Sequence, residues 1–174
     1  KKSYSFQIFE SNLLPLLRFI HERNIEPVGW ISVENKYLEK INYPITCSEL
    51  NYKTYWNYVN FIDDKLIEKF EICSYDIECT SVDGSFPQPH RDGDQVIQIG
   101  LTYSRFGEPD CYYKYLLSLH ETAKIEGTIV EWFKTEKDLL LGFTNILRKT
   151  NPDIITGYNI FGFDFWYLME RSKK

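Results

Sequence analysis

Two acidic residues, Asp76 and Glu78, lie two positions apart in "CSYDIECT", residues 73–80, a stretch that otherwise has the composition of a buried strand. Side chains alternate between the faces of a strand, so both carboxylates are expected on one face, about 7 Å apart along the chain. Carboxylates this close repel each other unless a cation compensates. Oxygen ligands without His or Cys favour Mg²⁺ or Mn²⁺ over Zn²⁺. Alternatively, one or both acids meet water at a strand edge or pair with Lys or Arg.

A second group of polar residues lies in "TGYNIFGFDFWYL", residues 156–168. Asp164 is expected in the first turn of a helix that follows a strand end, where sites assemble in open α/β sheets. An Asp there also interacts favourably with the helix dipole without any function, and Asn159 could simply cap a chain reversal. Neither structural explanation accounts for Asp-x-Glu on one strand together with Asn159 and Asp164 after another. The combination therefore indicates one acidic site.

The composition narrows the class of protein. The 174 residues are 43% hydrophobic and 17% aromatic, which is enough to bury a core in one domain or two small ones. A formal net charge of −5 argues against a protein whose only task is to coat a phosphate backbone. The four cysteines lack zinc-ligand spacing, which predicts reduced thiols, and the sequence has no signal peptide or long apolar span. An acidic balance fits chemistry on metal ions.

Strands and helices alternate in the second half of the chain. Four strands are predicted, at residues 70–79, 95–106, 110–119 and 153–156. Two helices are predicted, one within residues 135–152 and one from residue 163. The first of these helices opens with a Thr135-x-x-Asp138 capping box and ends before Pro152. Antiparallel strands followed by helix, strand and helix predict an α/β fold.

The first part of the chain predicts a β-α-β unit. Strands at residues 4–11 and 27–34 flank a helix at residues 12–24. Its apolar residues recur at helical spacing, namely Leu13, Leu16, Leu17 and Ile20. Residues 52–61, "YKTYWNYVNF", interleave Lys53 with aromatic residues. This pattern is typical of a half-buried aromatic strand and is also compatible with a base-stacking surface.

Four stretches carry a resemblance to a known family: "SYDIEC", "FPQPHRDGDQVIQIG", "GEPD" and "NPDIITGYNIFGFDFWYL". They resemble the 3′–5′ exonuclease domain of family B DNA polymerases, most closely the delta-type catalytic subunit of eukaryotes and its relatives in large DNA viruses. "FQIFESN" and "IEPVGWISV" are similar to a segment of the N-terminal domain of that family. The resemblance implies an incomplete α/β, ribonuclease H-like domain with a mixed sheet at residues 69–174, preceded by a small α+β N-terminal segment at residues 1–68.

The resemblance also implies a proofreading site with two metal ions, Mg²⁺ or Mn²⁺. Asp76, Glu78 and Asp164 match the acidic residues of the family, so all three are expected to be catalytic and to hold the metals. Asp76 would bridge both ions, and Glu78 would hold one ion and orient the attacking water. Asn159 and Phe163 match positions expected to bind the unpaired 3′ end of the DNA. The residue types agree with this two-metal chemistry.

The third exonuclease motif of the family, Tyr-x-x-x-Asp, and the polymerase palm and thumb are not found in these 174 residues. The chain therefore resembles a fragment of a DNA-directed DNA polymerase with 3′–5′ exonuclease activity, and the isolated chain is expected to be weakly active or inactive. The expected partners are a single-stranded 3′ end and primer–template DNA, with a sliding clamp and accessory subunits in the full-length protein, and no membrane. The expected location is the nucleus or a viral replication site.

Two other functions stay open at this point. One is a non-catalytic DNA-binding or scaffold module with an exonuclease-like fold, and the other is a stand-alone acidic-site nuclease. The presence of all three acids, Asp76, Glu78 and Asp164, speaks against the first. The upstream segment "IEPVGWISV" speaks against the second.

Overall fold

The computed structural model describes residues 3–43, 45–46 and 48–174. The chain divides into two compact units, Lys1–Ile67 and Glu68–Lys174. The assignment of the two parts of the chain to a polymerase N-terminal domain and an exonuclease domain stays a prediction.

The first unit contains one helix and two pairs of short antiparallel strands. The helix is α1 (Pro15–Arg23), and the strands are β1 (Trp30–Ser32), β2 (Glu39–Lys40), β3 (Tyr52–Lys53) and β4 (Asn60–Ile62). β1 pairs with β4, and β2 pairs with β3. Pro15 begins α1, where its missing N–H is not needed, and Asn24 ends the helix in the left-handed conformation with φ 54°. The predicted helix is therefore confirmed.

Two predictions for this unit are wrong. Residues 4–11 contain no strand, and Phe6 is 87% exposed, so the first half of the β-α-β unit is absent from this described stretch. A strand needs a partner for its backbone N–H and C=O groups, and alternation along the sequence does not reveal whether one exists. Residues 52–61 are not one half-buried strand either. A 3₁₀ turn at Trp56–Tyr58 separates β3 from β4, and Tyr55 is 75% exposed.

The second unit is a mixed five-stranded sheet with two helices, which confirms the predicted α/β class. Its strands are β5 (Glu71–Cys79), β6 (Val96–Arg105), β7 (Cys111–Leu119), β8 (Ile129–Phe133) and β9 (Ile154–Thr156), and its helices are α2 (Glu136–Thr150) and α3 (Asp164–Arg171). The spatial order is β8-β7-β6-β5-β9. β5, β6 and β7 are antiparallel, whereas β8 is parallel to β7 and β9 is parallel to β5. β8 was not predicted, because five mixed residues give a weak local pattern.

Both helices pack against one face of this sheet. The ring centroid of Tyr75 on β5 lies 5.3 Å from that of Phe143 on α2 and 5.5 Å from that of Phe165 on α3. The same core contains further buried residues of β6, β7 and α2: Ile99, Leu101, Tyr103, Leu117, Leu139 and Ile146. The opposite face of β5 is thereby left for polar side chains.

Polar contacts hold the ends of both helices. The Thr135 hydroxyl accepts the N–H of Asp138 at 3.2 Å, as the capping pattern predicts, and it donates to the Asp138 carboxylate at 2.7 Å. Arg171 of α3 pairs with Glu136 of α2, with Nε 2.8 Å from Oε1. The same Glu136 oxygen accepts the N–H of Val96 at 2.9 Å. This ion pair, with side chains 6% and 11% exposed, therefore ties α2 and α3 to the start of β6.

The thiols and the helix lengths bear on two further expectations. Cys73, Cys79 and Cys111 are free, as predicted, whereas Cys47 lies outside the described residues. Within the described part of the chain, no helix combines the length and the apolar character that crossing a membrane requires.

Candidate active site

Asp76 and Glu78 lie on the exposed face of β5. Tyr75 and Ile77 alternate with them and are buried, which confirms the expected division of the strand into two faces. A different acid of β5 forms an ion pair: Oε1 of Glu71, at the start of the strand, lies 2.7 Å from Nε of Arg105. The two carboxylates of the motif thus meet solvent on a sheet face that α2 and α3 leave open.

The chain after β9 brings Asp164 to the same part of β5. β9 pairs with residues 72–74 and does not extend alongside the rest of β5. A Cβ at Gly157 would collide with the carbonyl oxygen of Tyr75, so only glycine lets the chain pass this close to β5. Asp164 then begins α3, and its Oδ1 accepts the N–H of Ile77 at 3.2 Å. The carboxylate satisfies a backbone donor that a longer β9 would otherwise bind.

The Asp164 carboxylate therefore lies beside the backbone of Ile77, the residue that separates Asp76 from Glu78 in the sequence. Asp164 is only 2% exposed. Burial raises its pKa, and the negative charge of Asp76 raises it further, while the N–H groups of Asp164 and Ile77 act in the opposite direction. The ionised form of Asp164 is thus incompletely compensated by the protein, a state that a nearby cation would relieve.

Asn159 and Phe163 lie in the turn that leads into α3. The carbonyl oxygen of Asn159 accepts the N–H groups of Gly162 at 2.9 Å and Phe163 at 3.1 Å, and its φ is 53°. Its backbone thus caps the chain reversal, while its side chain belongs to an exposed residue. The Phe163 ring is half-buried, with its centroid 5.0 Å from that of Phe86 and 5.1 Å from that of Tyr167. Both residues predicted to bind substrate therefore lie within five positions of Asp164.

Three residues next to this group were not predicted: Phe86, Asp94 and Tyr167. Phe86 is 66% exposed, although its ring contacts Phe163. Asp94 is fully buried, and its carbonyl oxygen accepts the Tyr167 hydroxyl at 3.1 Å. The turn sequence "HRDGD", residues 90–94, does not indicate that Asp94 is buried, because turns whose Asp residues are exposed have the same composition.

The chemistry of the three predicted metal ligands fits a hard divalent cation, since Asp76, Glu78 and Asp164 offer only carboxylate oxygens. Across residues 3–43, 45–46 and 48–174, however, no group of three or more His, Cys, Asp or Glu side chains is arranged to hold a metal ion. One Asp164 oxygen binds the N–H of Ile77 instead. Metal binding by these three residues therefore stays a prediction.

A mixed sheet with acids on β5 and at the start of α3 defines an α/β domain that has a counterpart among solved structures. The chain is similar to the family B DNA polymerase from the hyperthermophilic archaeon Pyrobaculum calidifontis, with a TM-score of 0.64. The match covers 95% of this chain and 18% of that polymerase at 19% identity, so it concerns the fold. The family model described as DNA polymerase family B, exonuclease domain, matches residues 6–174. The chain belongs to this family, which confirms the resemblance noted in the sequence.

Relatives of the chain include viral and eukaryotic proteins. The chain is 41% identical over 171 residues to a DNA polymerase of Acanthamoeba polyphaga mimivirus and 37% identical over 175 residues to the DNA polymerase delta catalytic subunit of Oryza sativa subsp. japonica. Each match covers 98% of this chain. The chain spans 10% of the length of the viral protein and 16% of the plant protein.

Proposed function

We propose that the chain carries the proofreading site of a replicative DNA polymerase and that this site removes the unpaired 3′-terminal nucleotide of a DNA strand. The observation that carries the proposal is the hydrogen bond from the Ile77 N–H to Asp164, because it joins the acid of α3 to the strand that bears Asp76 and Glu78. Three acids at one sheet end suit phosphodiester hydrolysis, which needs a water nucleophile and stabilisation of the departing oxygen.

In this proposal Asp76, Glu78 and Asp164 would hold two divalent cations, Mg²⁺ or Mn²⁺. Such ions, when bound, lower the pKa of water and stabilise charge on the departing 3′ oxygen. Asp76 and Glu78 are exposed and free to turn towards a ligand, whereas Asp164 is buried and fixed to β5. Glu78 orients the water that attacks phosphorus. The oxygen of this water forms a new bond to phosphorus and releases a proton to solvent, the P–O3′ bond breaks, and the 3′ oxygen takes up a proton.

Two neighbouring residues receive the DNA end. Asn159 is exposed in the turn before α3, so its amide is able to form hydrogen bonds with the last nucleotide. Phe163 presents part of its ring at the start of the same helix. Stacking of one base on an aromatic ring is worth about 1–3 kcal/mol and tolerates any sequence, which suits the removal of any mispaired nucleotide.

We assign the complete protein as a DNA-directed DNA polymerase that binds a single-stranded 3′ end and primer–template DNA. This assignment is supported by the names of its relatives, which are DNA polymerases of viruses and delta catalytic subunits of eukaryotes. Those sources favour the nucleus or a viral replication site as its location. A sliding clamp and accessory subunits would bind the complete protein.

The direct test replaces both Asp76 and Glu78 by Ala in the complete polymerase. Degradation of a 5′-labelled single strand in Mg²⁺ should fall to the level of a sample without enzyme, while nucleotide incorporation stays largely intact. The matched control is Glu131→Ala, which removes an exposed acid from β8 and should preserve both activities. The third exonuclease motif, Tyr-x-x-x-Asp, is not found in these 174 residues. The isolated chain should therefore degrade the strand at least about 100-fold more slowly than the complete protein, because a missing or misplaced catalytic group typically costs this much in rate. Undiminished degradation by the double variant would refute the proposal.

A non-catalytic DNA-binding module is the second candidate, because Asp164 is buried and one of its oxygens already binds the N–H of Ile77. Thermal melting of this chain separates the two functions. The proofreading site predicts that millimolar Mn²⁺ raises the melting temperature, because a ligand that binds the folded state stabilises it. Asp76→Ala should abolish this rise. A melting temperature that does not change when Mn²⁺ is added, together with metal-independent binding of single-stranded DNA, would favour the second candidate.

A further inference from the structure

The segment between β5 and β6, residues 80–95, is called here the β5–β6 loop, and it contains a buried acid that the proposed reaction does not use. Asp94 is 0% exposed. Its Oδ1 accepts the N–H of Val82 at 3.0 Å, and its Oδ2 accepts the N–H of Gln88 at 2.8 Å. Arg91 lies 3.4 Å from the same Oδ2. One side chain therefore joins two distant points of the loop.

The pKa of Asp94 agrees with this geometry. Burial by itself raises the pKa, yet the N–H groups of Gln88 and Val82 and the charge of Arg91 lower it below its ordinary value. The carboxylate thus stays ionised inside the loop and keeps two acceptor oxygens available. An amide in its place has only one acceptor, so one of the two backbone N–H groups would lose its partner.

The β5–β6 loop also contacts α3 over the whole length of the helix. Near its start, the Phe86 ring centroid lies 5.0 Å from that of Phe163. In the middle, the Tyr167 hydroxyl donates to the carbonyl oxygen of Asp94 at 3.1 Å. Near its end, Nη1 of Arg171 donates to the carbonyl oxygen of Pro89 at 3.0 Å. α3 has eight residues, so the loop supports every turn of it.

We propose that Asp94 is a positioning residue for the candidate active site: it holds the β5–β6 loop against α3 and thereby fixes the Asp164 carboxylate relative to Asp76 and Glu78. This inference rests on the proposed function. Asp164 is the first residue of α3, and one hydrogen bond to Ile77 joins its side chain to β5. Movement of so short a helix transfers directly to that carboxylate, and a displacement of about 1 Å typically costs 100-fold in rate.

The test compares Asp94→Asn with Tyr167→Phe in the complete polymerase. Asp94→Asn should lower the kcat of single-strand degradation about 10- to 100-fold, change KM less than about threefold, and leave nucleotide incorporation unchanged. Tyr167→Phe removes the hydroxyl that donates to the carbonyl oxygen of Asp94 and also contacts the Cys79 thiol, and it should lower kcat several-fold in the same way. The matched control is Ile146→Ala, which removes core packing in α2. At assay temperatures below the melting temperature of this variant, its kcat should equal that of the wild type.

A second readout needs neither metal nor substrate. Amide hydrogen exchange at Ile77 reports the hydrogen bond to Asp164, and we expect it to be at least about tenfold faster in Asp94→Asn than in the Ile146→Ala control. If Asp94→Asn does not fold, Tyr167→Phe decides by the same two measurements.

The outcomes separate this inference from the proposed function. Unchanged kcat and unchanged Ile77 exchange, in a protein that Asp76→Ala inactivates, would overturn the positioning role and leave the proposed function intact. A raised KM with unchanged kcat would also overturn it, since the loop would then contact substrate instead. Full activity of Asp76→Ala would overturn the proposed function and the positioning role with it.

Discussion

Two amphipathic helices of this chain differ completely in what they bury. No residue of α1 is buried, and Leu16 is 66% exposed, whereas α2 buries Leu139, Phe143 and Ile146. α2 contacts β6, β7 and β8 of a five-stranded sheet, while the strands of the first unit have two or three residues each. Helical periodicity therefore specifies the apolar side of a helix, but burial depends on a surface that is distant in sequence.

The comparison of α1 with the helices of the second unit predicts the largest difference in the free energy of unfolding for variants that break ion pairs. Arg171→Met should lower the free energy of unfolding by about 3–5 kcal/mol, because it leaves Glu136 as an uncompensated charge that is only 11% exposed. Arg18→Met in α1 breaks an ion pair with Glu22 whose side chains are 61% and 46% exposed, and it should cause no measurable change. Urea unfolding of both variants is the measurement. Equal losses of unfolding free energy in the two variants would contradict the contrast between α1 and the helices of the second unit.

Leucine truncation tests the apolar side of the same contrast. Leu139→Ala should cost about 2–5 kcal/mol, since the side chain is fully buried and leaves a cavity. Leu16→Ala should change stability by less than about 0.5 kcal/mol, because its side chain is already mostly in water. Both values come from the same urea experiment. A cost above 2 kcal/mol for Leu16→Ala would mean that α1 is buried in solution.

The Asp94 carboxylate should make stability depend on pH. Its pKa is lowered in the folded state, so below a pH of about 4, the pKa of an unfolded Asp, the unfolded chain binds more protons there than the folded chain. The stabilising contribution is therefore complete above that pH and is lost as the pH falls. The difference in melting temperature between wild type and Asp94→Asn should shrink as the pH falls from 7 towards 2. A constant difference across this range would contradict the lowered pKa.

The smallest predicted effect is a gain in stability. The hydroxyl of Tyr75 is buried and lacks a hydrogen-bond partner among the described residues, while its ring packs between α2 and α3. Tyr75→Phe keeps the ring and removes the unsatisfied group, so it should stabilise the chain by up to about 1 kcal/mol. Calorimetric melting measures the gain, and Tyr55→Phe, at an exposed position of the first unit, should leave the melting temperature unchanged.

Local interactions explain which predictions were confirmed. The alternation of Asp76 and Glu78 with buried neighbours follows from the geometry of one strand, and the cap at Thr135 follows from groups three residues apart. Asp164 begins α3 as its sequence position indicates. Each of these features depends on residues within one turn or one strand, so the sequence pattern contains all the information that is needed.

The sequence by itself determined the α/β class of the second unit, the shared face of Asp76 and Glu78, and membership of the family. Tertiary structure alone decided that residues 4–11 form no strand, that β8 lies parallel to β7, and that Asp94 is buried. It also decided that Asp164 reaches Ile77, 87 positions earlier in the chain. The reason is physical. Strand partners, burial and hydrogen bonds to β5 depend on which distant segments of the chain meet in the fold, and a local sequence pattern does not contain that information.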